Sequence, residues 1–565
     1  MDTNNLDKSL ELLQENKDRW AKLQISTKID FIDQTILLTS SQAEEWVSVS
    51  LEAKGIKENS PLSSEEWLGG PYAFLNWLHY MKNTLTLLDK GKSPIHNLKI
   101  NTRMDGQIVA TVYPNNWIEK LILNHYSIDV WMQKDVTPEN IENTIAGFYK
   151  KDNPMGDVLL ILGAGNVSSI VPLDILYKLY GEGKVALIKM NPVNDYLGPI
   201  FEKIFNPFIE NGFIQFSYGD SDAGEYLTNH ELVDCIHITG SSKTHDTIVF
   251  GRGKEVEKRK LENKPINKKP ISSELGGVSP TIVVPGLWSE SDFKFQAEHI
   301  ATQKLQNSGH NCIATQILIL PKDWFGTGKL LRELENQITN AEKRPAYYPG
   351  SKDRHNTARE HTNAKCLDSK VDRTIIYDTD KNADEPCFKI EYFSPVLATV
   401  SIAGNNPSTF IHEAVKFSNE KLYGTLGANI IIDPKTARKY KSDLDLAITD
   451  LKYGSIGVNT WCALAFLAAG AAWGAYPGHT LDNIQSGIGV VHNAFLFGKS
   501  EKTVATGPFR DFPRSLLHGE FHLAPKPPWF ISNKTAGITA KRLTYFAEKG
   551  KLTALPGIFT SALRG

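Results

Sequence analysis

Apolar residues repeat at two different spacings along this chain. Up to about residue 90 they recur every three or four positions, as in Leu6, Leu10 and Leu13. That spacing is typical of helices that bury one face. From about residue 107, short apolar runs alternate with longer amphipathic stretches. The pattern therefore predicts a helical N-terminal region followed by alternating strands and helices.

Several of the apolar runs contain almost no polar residue, as expected for strands that are covered on both faces of a sheet. The predicted strands are Ile108–Tyr113, Val158–Leu162, Val185–Lys189, Ile236–Thr239, Thr281–Val284, Gln316–Leu320, Val396–Val400, Ala428–Ile432 and Ser455–Val458. Their alternation with helical stretches predicts an α/β fold with largely parallel sheets.

The composition is that of a globular protein with more than one domain. The chain has 565 residues, 41% of them hydrophobic and 22% charged, and its formal net charge is −2. Without a basic excess, no binding to nucleic acid or to an anionic membrane surface is expected. The most apolar run, Trp461 to Tyr476, is too short to span a bilayer comfortably and is interpreted as a buried segment.

The cysteines and the N-terminus bear on the compartment. The five cysteines are scattered, and no two of them have CxxC spacing. Neither a disulfide framework nor a zinc site is therefore expected. Residues 1–5 lack the basic and apolar regions of a signal peptide. We expect a cytoplasmic protein without a bound metal.

One cysteine and one glutamate are the strongest candidates for chemistry. Cys312 follows a glycine-containing turn, and Glu274 precedes a Gly-Gly pair. A thiol and a carboxylate are suited to act as nucleophile and base. His310 is a poor partner for Cys312, because side chains two positions apart lie about 7 Å apart along a strand and diverge on a helix.

Polar residues follow three of the predicted strands. Gly163 and Gly165 either contact a nucleotide or form a tight structural turn. Asn166 either donates a hydrogen bond to an oxyanion or adopts a left-handed turn conformation. Lys189 ends the next strand and can either donate to ribose hydroxyls or meet a 2′-phosphate. After Thr239, the pair Gly240-Ser241 either offers backbone N–H groups to a phosphate or provides a simple helix cap.

Together and in this order, these segments resemble the aldehyde dehydrogenase superfamily over roughly residues 20–495. The resemblance implies that Cys312 is the nucleophile, Glu274 the general base and Asn166 the oxyanion donor. The cofactor contacts that it implies are Lys189, Gly240, Ser241, Gly276, Glu391 and Phe393, the last two from Glu391-Tyr392-Phe393-Ser394-Pro395.

The resemblance also implies an architecture. It consists of a Rossmann-like parallel sheet as the cofactor domain, an α/β catalytic domain and a small oligomerisation element, in a homodimer or homotetramer. We predict a cofactor-binding domain over residues 1–281, with the oligomerisation element within 100–155. A catalytic domain follows over 282–460, and residues 461–500 return to the cofactor domain. Residues 501–565 form a proline-rich C-terminal extension, which we predict to be mostly irregular with a short helix near Lys541–Lys549.

Several positions depart from the family's pattern. The segment around Asn166 resembles the acyl-CoA reductase branch as much as the typical aldehyde oxidisers. Pro192 replaces a glutamate that discriminates against the 2′-phosphate of NADP, so NAD is expected and NADP stays open. His310 replaces a glutamine, and Ser394 replaces a glycine next to Phe393, which bears on how that segment turns.

The implied activity is NAD(P)-dependent oxidation of an aldehyde to a carboxylic acid, through a thiohemiacetal and a thioester on Cys312. Water activated by Glu274 is one acceptor of the acyl group. The alternative is coenzyme A, in an acylating dehydrogenase or acyl-CoA reductase, which the segment around Asn166 favours and Glu274 disfavours. A catalytically silent structural or binding protein is an alternative of another class, against which the intact catalytic residues argue.

Overall fold

The computed structural model describes residues 3–368, 370–404 and 406–565. Its helices, α1 to α23 in chain order, are Thr3–Lys22, Ile25–Ala53, Ser64–Trp67, Ala73–Asp89, Trp117–Ile122, Ile141–Thr144, Ile170–Leu176, Gly198–Ile204, Asn206–Glu210, Ser221–Asn229, Ser242–Phe250, Val256–Leu261, Glu290–Leu305, Thr327–Asn340, Ser351–Arg359, Pro386–Lys389, Pro407–Lys421, Pro434–Lys439, Lys441–Asp450, Ala463–Leu467, Arg514–Leu517, Ala536–Lys549 and Leu555–Ala562. Its strands, β1 to β19, are Lys99–Thr102, Ile108–Tyr113, Ser127–Met132, Val158–Leu162, Val185–Lys189, Ile214–Ser217, Cys235–Gly240, Ile271–Leu275, Ser279–Val283, Thr315–Pro321, Ala364–Asp368, Arg373–Thr379, Val396–Ile402, Gly427–Ile431, Ser455–Val458, Ala472–Gly474, Gly487–Ile488, Val490–His492 and Ser500–Thr506.

A six-stranded sheet forms the first of two large layers. Its strands run in the order β17, β8, β7, β4, β5 and β6, and all neighbours are parallel except β17 and β8. The residues of β4 and β5 are almost all buried, because α1 and other helices cover the sheet. Trp20 of α1 fixes this packing by donating from Nε1 to the carbonyl oxygen of Leu179 at 2.8 Å. The predicted Rossmann-like parallel sheet is confirmed.

An eleven-stranded sheet forms the second layer, in the order β1, β2, β3, β19, β15, β14, β9, β10, β13, β12 and β11. Neighbours are parallel from β19 to β12, and antiparallel strands lie at both edges. The chain crosses from the first sheet to the second between β8 and β9, directly after Glu274. The predicted boundary at residue 281 falls inside β9, and the domain limits stay predictions, as does the oligomerisation role of 100–155.

The predicted elements before residue 500 are present. Each of the nine predicted strands overlaps an observed strand, and the bounds differ by two residues at most. The apolar run from Trp461 to Tyr476 folds into α20 and β16, and both Trp461 and Trp473 are buried. Within the described ranges, no helix is long and apolar enough to cross a membrane.

The C-terminal extension is more ordered than predicted. The expected short helix lies within α22, but residues 500–506 form β19 in the interior of the large sheet. Lys502 makes this strand look solvent-exposed in the sequence. Its ammonium group is buried and donates to the carbonyl oxygens of Ile448, Thr449 and Leu451 at 2.8–3.0 Å. A cation at the carboxyl end of α19 is favourable, so the charge of Lys502 is compatible with a buried strand. The hydrophobic pattern alone does not predict a buried strand that contains a lysine.

A buried ion pair attaches the extension to the rest of the protein. The guanidinium of Arg510 binds the carboxylate of Asp292 through two bonds, at 2.8 and 2.7 Å, and also pairs with Glu520. Asp292 lies in the first turn of α13, where its carboxylate completes a capping box with Ser289. The helix that leads to Cys312 is therefore tied to the C-terminal extension.

Replacing Arg510 by alanine would remove the two short hydrogen bonds to the buried Asp292 carboxylate, with Arg514 at 3.7 Å as a more distant cation. We expect Arg510→Ala to reduce the free energy of unfolding by about 3–5 kcal/mol, as for other broken buried pairs. Lys441→Ala, which breaks an exposed pair with Asp445, is the control and should cost about 0.3–0.5 kcal/mol. Urea unfolding followed by circular dichroism measures both. Equal effects of the two substitutions would contradict the assigned role of Arg510.

Candidate active site

Two cavities meet at Cys312. The larger has a volume of about 1070 Å³ and lies at the carboxyl ends of β4, β5 and β7. The smaller, of about 60 Å³, adjoins it at the thiol. Cys312 and Glu274 line both cavities. The larger cavity is also lined by every other residue predicted for the site, namely Asn166, Lys189, Gly240, Ser241, Gly276, Glu391 and Phe393.

The turn that presents Cys312 has an unusual backbone. Asn307, Ser308 and Gly309 have φ values of 54°, 55° and 73°. Glycine is required at the third position, because a Cβ there would lie 2.7 Å from the backbone carbon of Ser394. Left-handed conformations of the other two residues cost of order 1–2 kcal/mol each. Contacts from neighbouring elements must therefore hold this turn.

One such contact comes from the N-terminal helical region. The backbone N–H of Asn307 donates to the carboxylate of Glu65 in α3 at 3.0 Å. Glu65 is held by the guanidinium of Arg344 through two bonds, at 2.6 and 3.0 Å. Arg344 donates as well to the carbonyl oxygen of Leu305, at the end of α13, at 2.6 Å. This buried pair fixes the turn against α3, and the sequence did not indicate it.

Asn166 is held from both sides. Its amide Nδ2 donates to the carbonyl oxygen of His310 at 3.1 Å. The backbone carbonyl oxygen of Asn166 accepts hydrogen bonds from Lys54 Nζ at 2.9 Å and from the Tyr347 hydroxyl at 3.1 Å. The backbone of Asn166 is not left-handed, so that interpretation is wrong. One amide N–H is used by His310, and Asn166 lines the larger cavity together with Cys312.

The His310 ring contacts the segment of Phe393. Its Nδ1 donates to the carbonyl oxygen of Phe393 at 2.9 Å, and its ring packs against Tyr347, Tyr348 and Phe393. Burial lowers the pKa of His310 to about 3, so the ring is neutral. Its function is to connect the turn before Cys312 with the segment of Phe393.

Two buried carboxyl groups surround the thiol. Burial, followed by the charge of Asp174, raises the pKa of Glu274 to about 7. Burial and the charge of Glu274 raise the pKa of Glu391 to about 8. The pKa of Cys312 is well above its ordinary value, because the thiol is desolvated and faces both carboxyl groups. The thiol is therefore protonated, whereas Glu274 changes its charge near neutral pH.

A polar network lies next to Glu274 within the six-stranded sheet. Thr239 pairs with Glu274 in the register of β7 and β8, and its hydroxyl donates to Asp174 Oδ2 at 2.8 Å. His237 Nε2 lies 3.5 Å from the same oxygen. Asp174 is fully buried, and its Oδ1 has no hydrogen-bond partner. The signal in the sequence was a single carboxylate in the otherwise apolar helix α7.

The larger cavity has features that suit a dinucleotide. Lys189 ends β5 at its wall, close enough to Asp220 and Asp195 for their charges to act on its ammonium group. Ser241 caps α11 by accepting from the backbone N–H of Thr244 at 3.2 Å, so the cap interpretation is confirmed. Ser242, Lys243 and Thr244 of that first turn line the cavity. The backbone N–H groups of a helix's first turn are suited to bind a phosphate.

Glycines in the first βα turn have a structural reason. A Cβ at Gly163 would lie 2.7 Å from the Val171 side chain, and one at Gly165 would lie 2.8 Å from the Asn191 side chain. Both positions also line the larger cavity. The tight-turn interpretation is therefore sufficient to explain both residues.

Part of the chain matches the aldehyde dehydrogenase family model, over residues 134–343. A putative aldehyde dehydrogenase, AldX, from Bacillus subtilis is 24% identical over 200 residues, which are 35% of this chain and 41% of that protein. The 4,4′-diaponeurosporen-aldehyde dehydrogenase of Staphylococcus aureus is 26% identical over 204 residues, 35% of this chain and 40% of that protein. The chain thus matches about two-fifths of the length of these curated relatives.

Solved structures resemble a larger part of the chain. A mutant of aldehyde dehydrogenase C from Pseudomonas syringae, in complex with NAD+ and octanal, has a TM-score of 0.60 at 15% identity, covering 90% of this chain and 89% of that one. An NADP-dependent glyceraldehyde-3-phosphate dehydrogenase from Bacillus halodurans, in complex with NADP, has a TM-score of 0.58 at 15% identity, with coverage of 89% and 91%. The fold is that of aldehyde dehydrogenases.

Neutralising either carboxyl group should make the Cys312 thiol more acidic, since their charges oppose its ionisation. We expect Glu274→Gln and Glu391→Gln each to raise the rate of iodoacetamide alkylation of Cys312 at pH 8.5 about 3- to 10-fold, where tenfold corresponds to one pKa unit. Peptide mapping by mass spectrometry measures the rate. Glu225→Gln, in the wall of the same cavity but not among the groups that act on Cys312, should leave it unchanged. A slower reaction in both variants would contradict this electrostatic picture.

Proposed function

We infer that this chain oxidises an aldehyde to a carboxylic acid with NAD(P) as acceptor. The inference starts from the match of residues 134–343 to the aldehyde dehydrogenase family model and from the aldehyde dehydrogenase fold. The observation that carries the proposal is that Cys312 and Glu274 line both cavities. A substrate carbon at the thiol is therefore within reach of a base and faces the space that suits a dinucleotide.

The first step forms a bond between Cys312 Sγ and the aldehyde carbon. The thiol proton is released to solvent, and the positive charge of the nicotinamide, when bound, would favour the thiolate. The oxygen of the resulting thiohemiacetal accepts a hydrogen bond from the second amide N–H of Asn166, which lowers the energy of the developing charge. Lys54 and Tyr347 keep Asn166 in place for this contact.

The second half removes the acyl group. The nicotinamide, when bound, supplies the two-electron acceptor for the hydride of the aldehyde carbon, and an acyl thioester remains on Cys312. The ionised carboxylate of Glu274 takes a proton from a water molecule that attacks the thioester carbon. The carboxylic acid leaves and the thiol is restored. Splitting the conversion into two steps lowers each barrier.

Residues of the larger cavity hold the cofactor in this proposal. Ser241 and the first turn of α11 bind the pyrophosphate, and Lys189 donates to the ribose. A Cβ at Gly240 would lie no closer than 3.7 Å to any protein atom. Packing within the protein therefore does not require this glycine, and we propose that it leaves room for the dinucleotide backbone. The negative charge of Asp220 acts on Lys189. In this proposal the Asp220 carboxylate disfavours the 2′-phosphate of NADP, in place of the glutamate that Pro192 replaces. We propose NAD as the preferred cofactor.

On the nicotinamide side, Glu391 and Phe393 contact the ribose and the ring. Glu391 Oε1 is buried without a hydrogen-bond partner, so a ribose hydroxyl there would satisfy it. A Cβ at Gly276 would lie 2.2 Å from this carboxylate, and only glycine leaves Glu391 in place. Lys304, which is buried beside Glu391, partly balances its charge.

Assembly and compartment complete the proposal. All five cysteines are free, which suits a reducing compartment such as the cytoplasm. We propose a homodimer or homotetramer, for which the exposed strand β1 at the edge of the large sheet offers backbone groups for pairing. Light scattering coupled to size-exclusion chromatography measures the state directly.

The proposed oxidation should require the thiol. Wild-type protein is expected to reduce NAD+ with at least one member of an aldehyde panel, and Cys312→Ala should lower kcat/KM by at least about 10³-fold. Cys366→Ala, on the edge strand β11, is the matched control and should retain wild-type activity. Absorbance at the NADH band measures the rates. Equal, slow rates in the wild type and Cys312→Ala would favour the silent structural or binding protein.

Removing the base should separate acylation from hydrolysis. We expect Glu274→Gln to accumulate an acyl adduct on Cys312, detected by intact-protein mass spectrometry after mixing with aldehyde and NAD+. In the wild type, hydrolysis should rise with pH through about 7, because Glu274 must be ionised to accept a proton from water; this rise should be absent in the variant. Normal turnover by Glu274→Gln would show that Glu274 is not the base.

Adding coenzyme A to the wild-type reaction tests the other acceptor. Faster turnover with an acyl-CoA product would identify coenzyme A as the acyl acceptor in place of water.

A further inference from the structure

The smaller cavity at Cys312 is mainly apolar, and the polar side chains of its lining besides Cys312 are Glu65, Glu274, Gln306 and Asn311. Three tryptophans from separate parts of the chain, Trp461, Trp473 and Trp529, form much of its lining, with Phe466 and Leu68. Its volume of about 60 Å³ is several times the 10–15 Å³ that one water molecule needs. A group of only a few heavy atoms therefore fits in it beside the thiol.

One of these walls comes from the C-terminal extension. Trp529 lies in residues 525–533, which pack along α13, the helix that leads to the turn before Cys312. Phe530 stacks on the buried ring of His299 with centroids 5.3 Å apart, and the backbone N–H of Ile531 donates to Thr302 Oγ1 at 3.2 Å. The segment is therefore attached to the same helix that positions the nucleophile.

Further contacts hold the Trp529 ring and the neighbouring wall. Tyr126, at the start of the β3 strand region, meets the Trp529 ring edge-on at 6.0 Å. Helix α22 of the extension packs Ala540 and Leu543 into one apolar cluster with Leu68. The extension thus supplies one wall of the cavity and supports a second wall from outside.

The charges around the cavity decide what it can accept. The charged side chains in its lining are Glu65 and Glu274, and both are acidic. Glu65 is fully engaged with Arg344 and Asn307, so it offers no partner to a substrate. A carboxylate or phosphate on the substrate would be desolvated next to acidic groups, which is strongly unfavourable.

We propose that residues 525–533 form the outer wall of the site for the aldehyde substituent, and that Trp529 limits this site to short, uncharged, apolar substituents. The proposal rests on the proposed aldehyde oxidation, since it places the substituent in the smaller cavity while the reacting carbon lies at Cys312. The C-terminal extension is in this way part of the substrate site.

Chain-length selectivity tests the proposal. For wild-type protein we expect kcat/KM to be highest for aldehydes of about three to five carbons and to fall for octanal. Trp529→Ala should raise the ratio of octanal to butanal kcat/KM roughly tenfold or more, since single methylenes already discriminate by that order in apolar pockets. Phe521→Ala, a fully exposed aromatic residue of the same extension, should leave the ratio unchanged. An unchanged ratio in Trp529→Ala, or a wild-type preference for an aldehyde that bears a carboxylate, would overturn the proposal.

A binding measurement separates this proposal from the proposed activity. Butanamide and octanamide mimic the substrate without reacting, and their affinities for the Cys312→Ala protein can be followed by calorimetry. Butanamide should bind more tightly than octanamide, and adding Trp529→Ala should reverse the order. If no aldehyde is oxidised but this reversal is seen, the oxidation fails and the pocket assignment holds. Should Trp529→Ala unfold, Trp529→Phe, which keeps a ring against Tyr126, should shift the order in the same direction by a smaller factor.

Discussion

The left-handed turn at residues 307–309 is the constraint on which the site depends. It is held on one side by Glu65 from the N-terminal helices and on the other by contact of Gly309 with Ser394. These two supports are separated by more than 300 positions in the sequence. Loosening of the packing between the N-terminal region and the large sheet would therefore remove a support of the turn that positions Cys312.

The same contact involves two residues, His310 and Ser394, at which the sequence departs from the segments that it resembles. His310 donates to the carbonyl oxygen of Phe393, which has a φ of 44°, and Ser394 packs on Gly309. His310 and Ser394 are therefore parts of one arrangement that joins the turn before Cys312 to the segment of Phe393.

The sequence allowed the parts of the protein with local signals to be predicted. The strands were found because their residues are apolar on both faces. The candidate site residues were found because their segments, taken in order, resemble those of aldehyde dehydrogenases. The supports were missed because they depend on contacts between distant polar residues. Lys54, Arg344 and Asp174 each bear a charge that would ordinarily lie in solvent, and only the tertiary structure shows that it is buried beside a partner. Lys502 concealed a core strand for the same reason.

The position of β19 has a consequence for synthesis of the chain. It joins β3, which ends at residue 132, to β15, and is therefore made roughly 370 residues after β3. At about 5–20 residues per second, the ribosome needs roughly 20–70 s to supply it. The antiparallel edge formed by β1, β2 and β3 has no partner in the large sheet during that interval, and an unpaired edge can pair with another chain. The edge at β3 therefore needs protection until β19 pairs with it, either by a chaperone or by fast release of the chain.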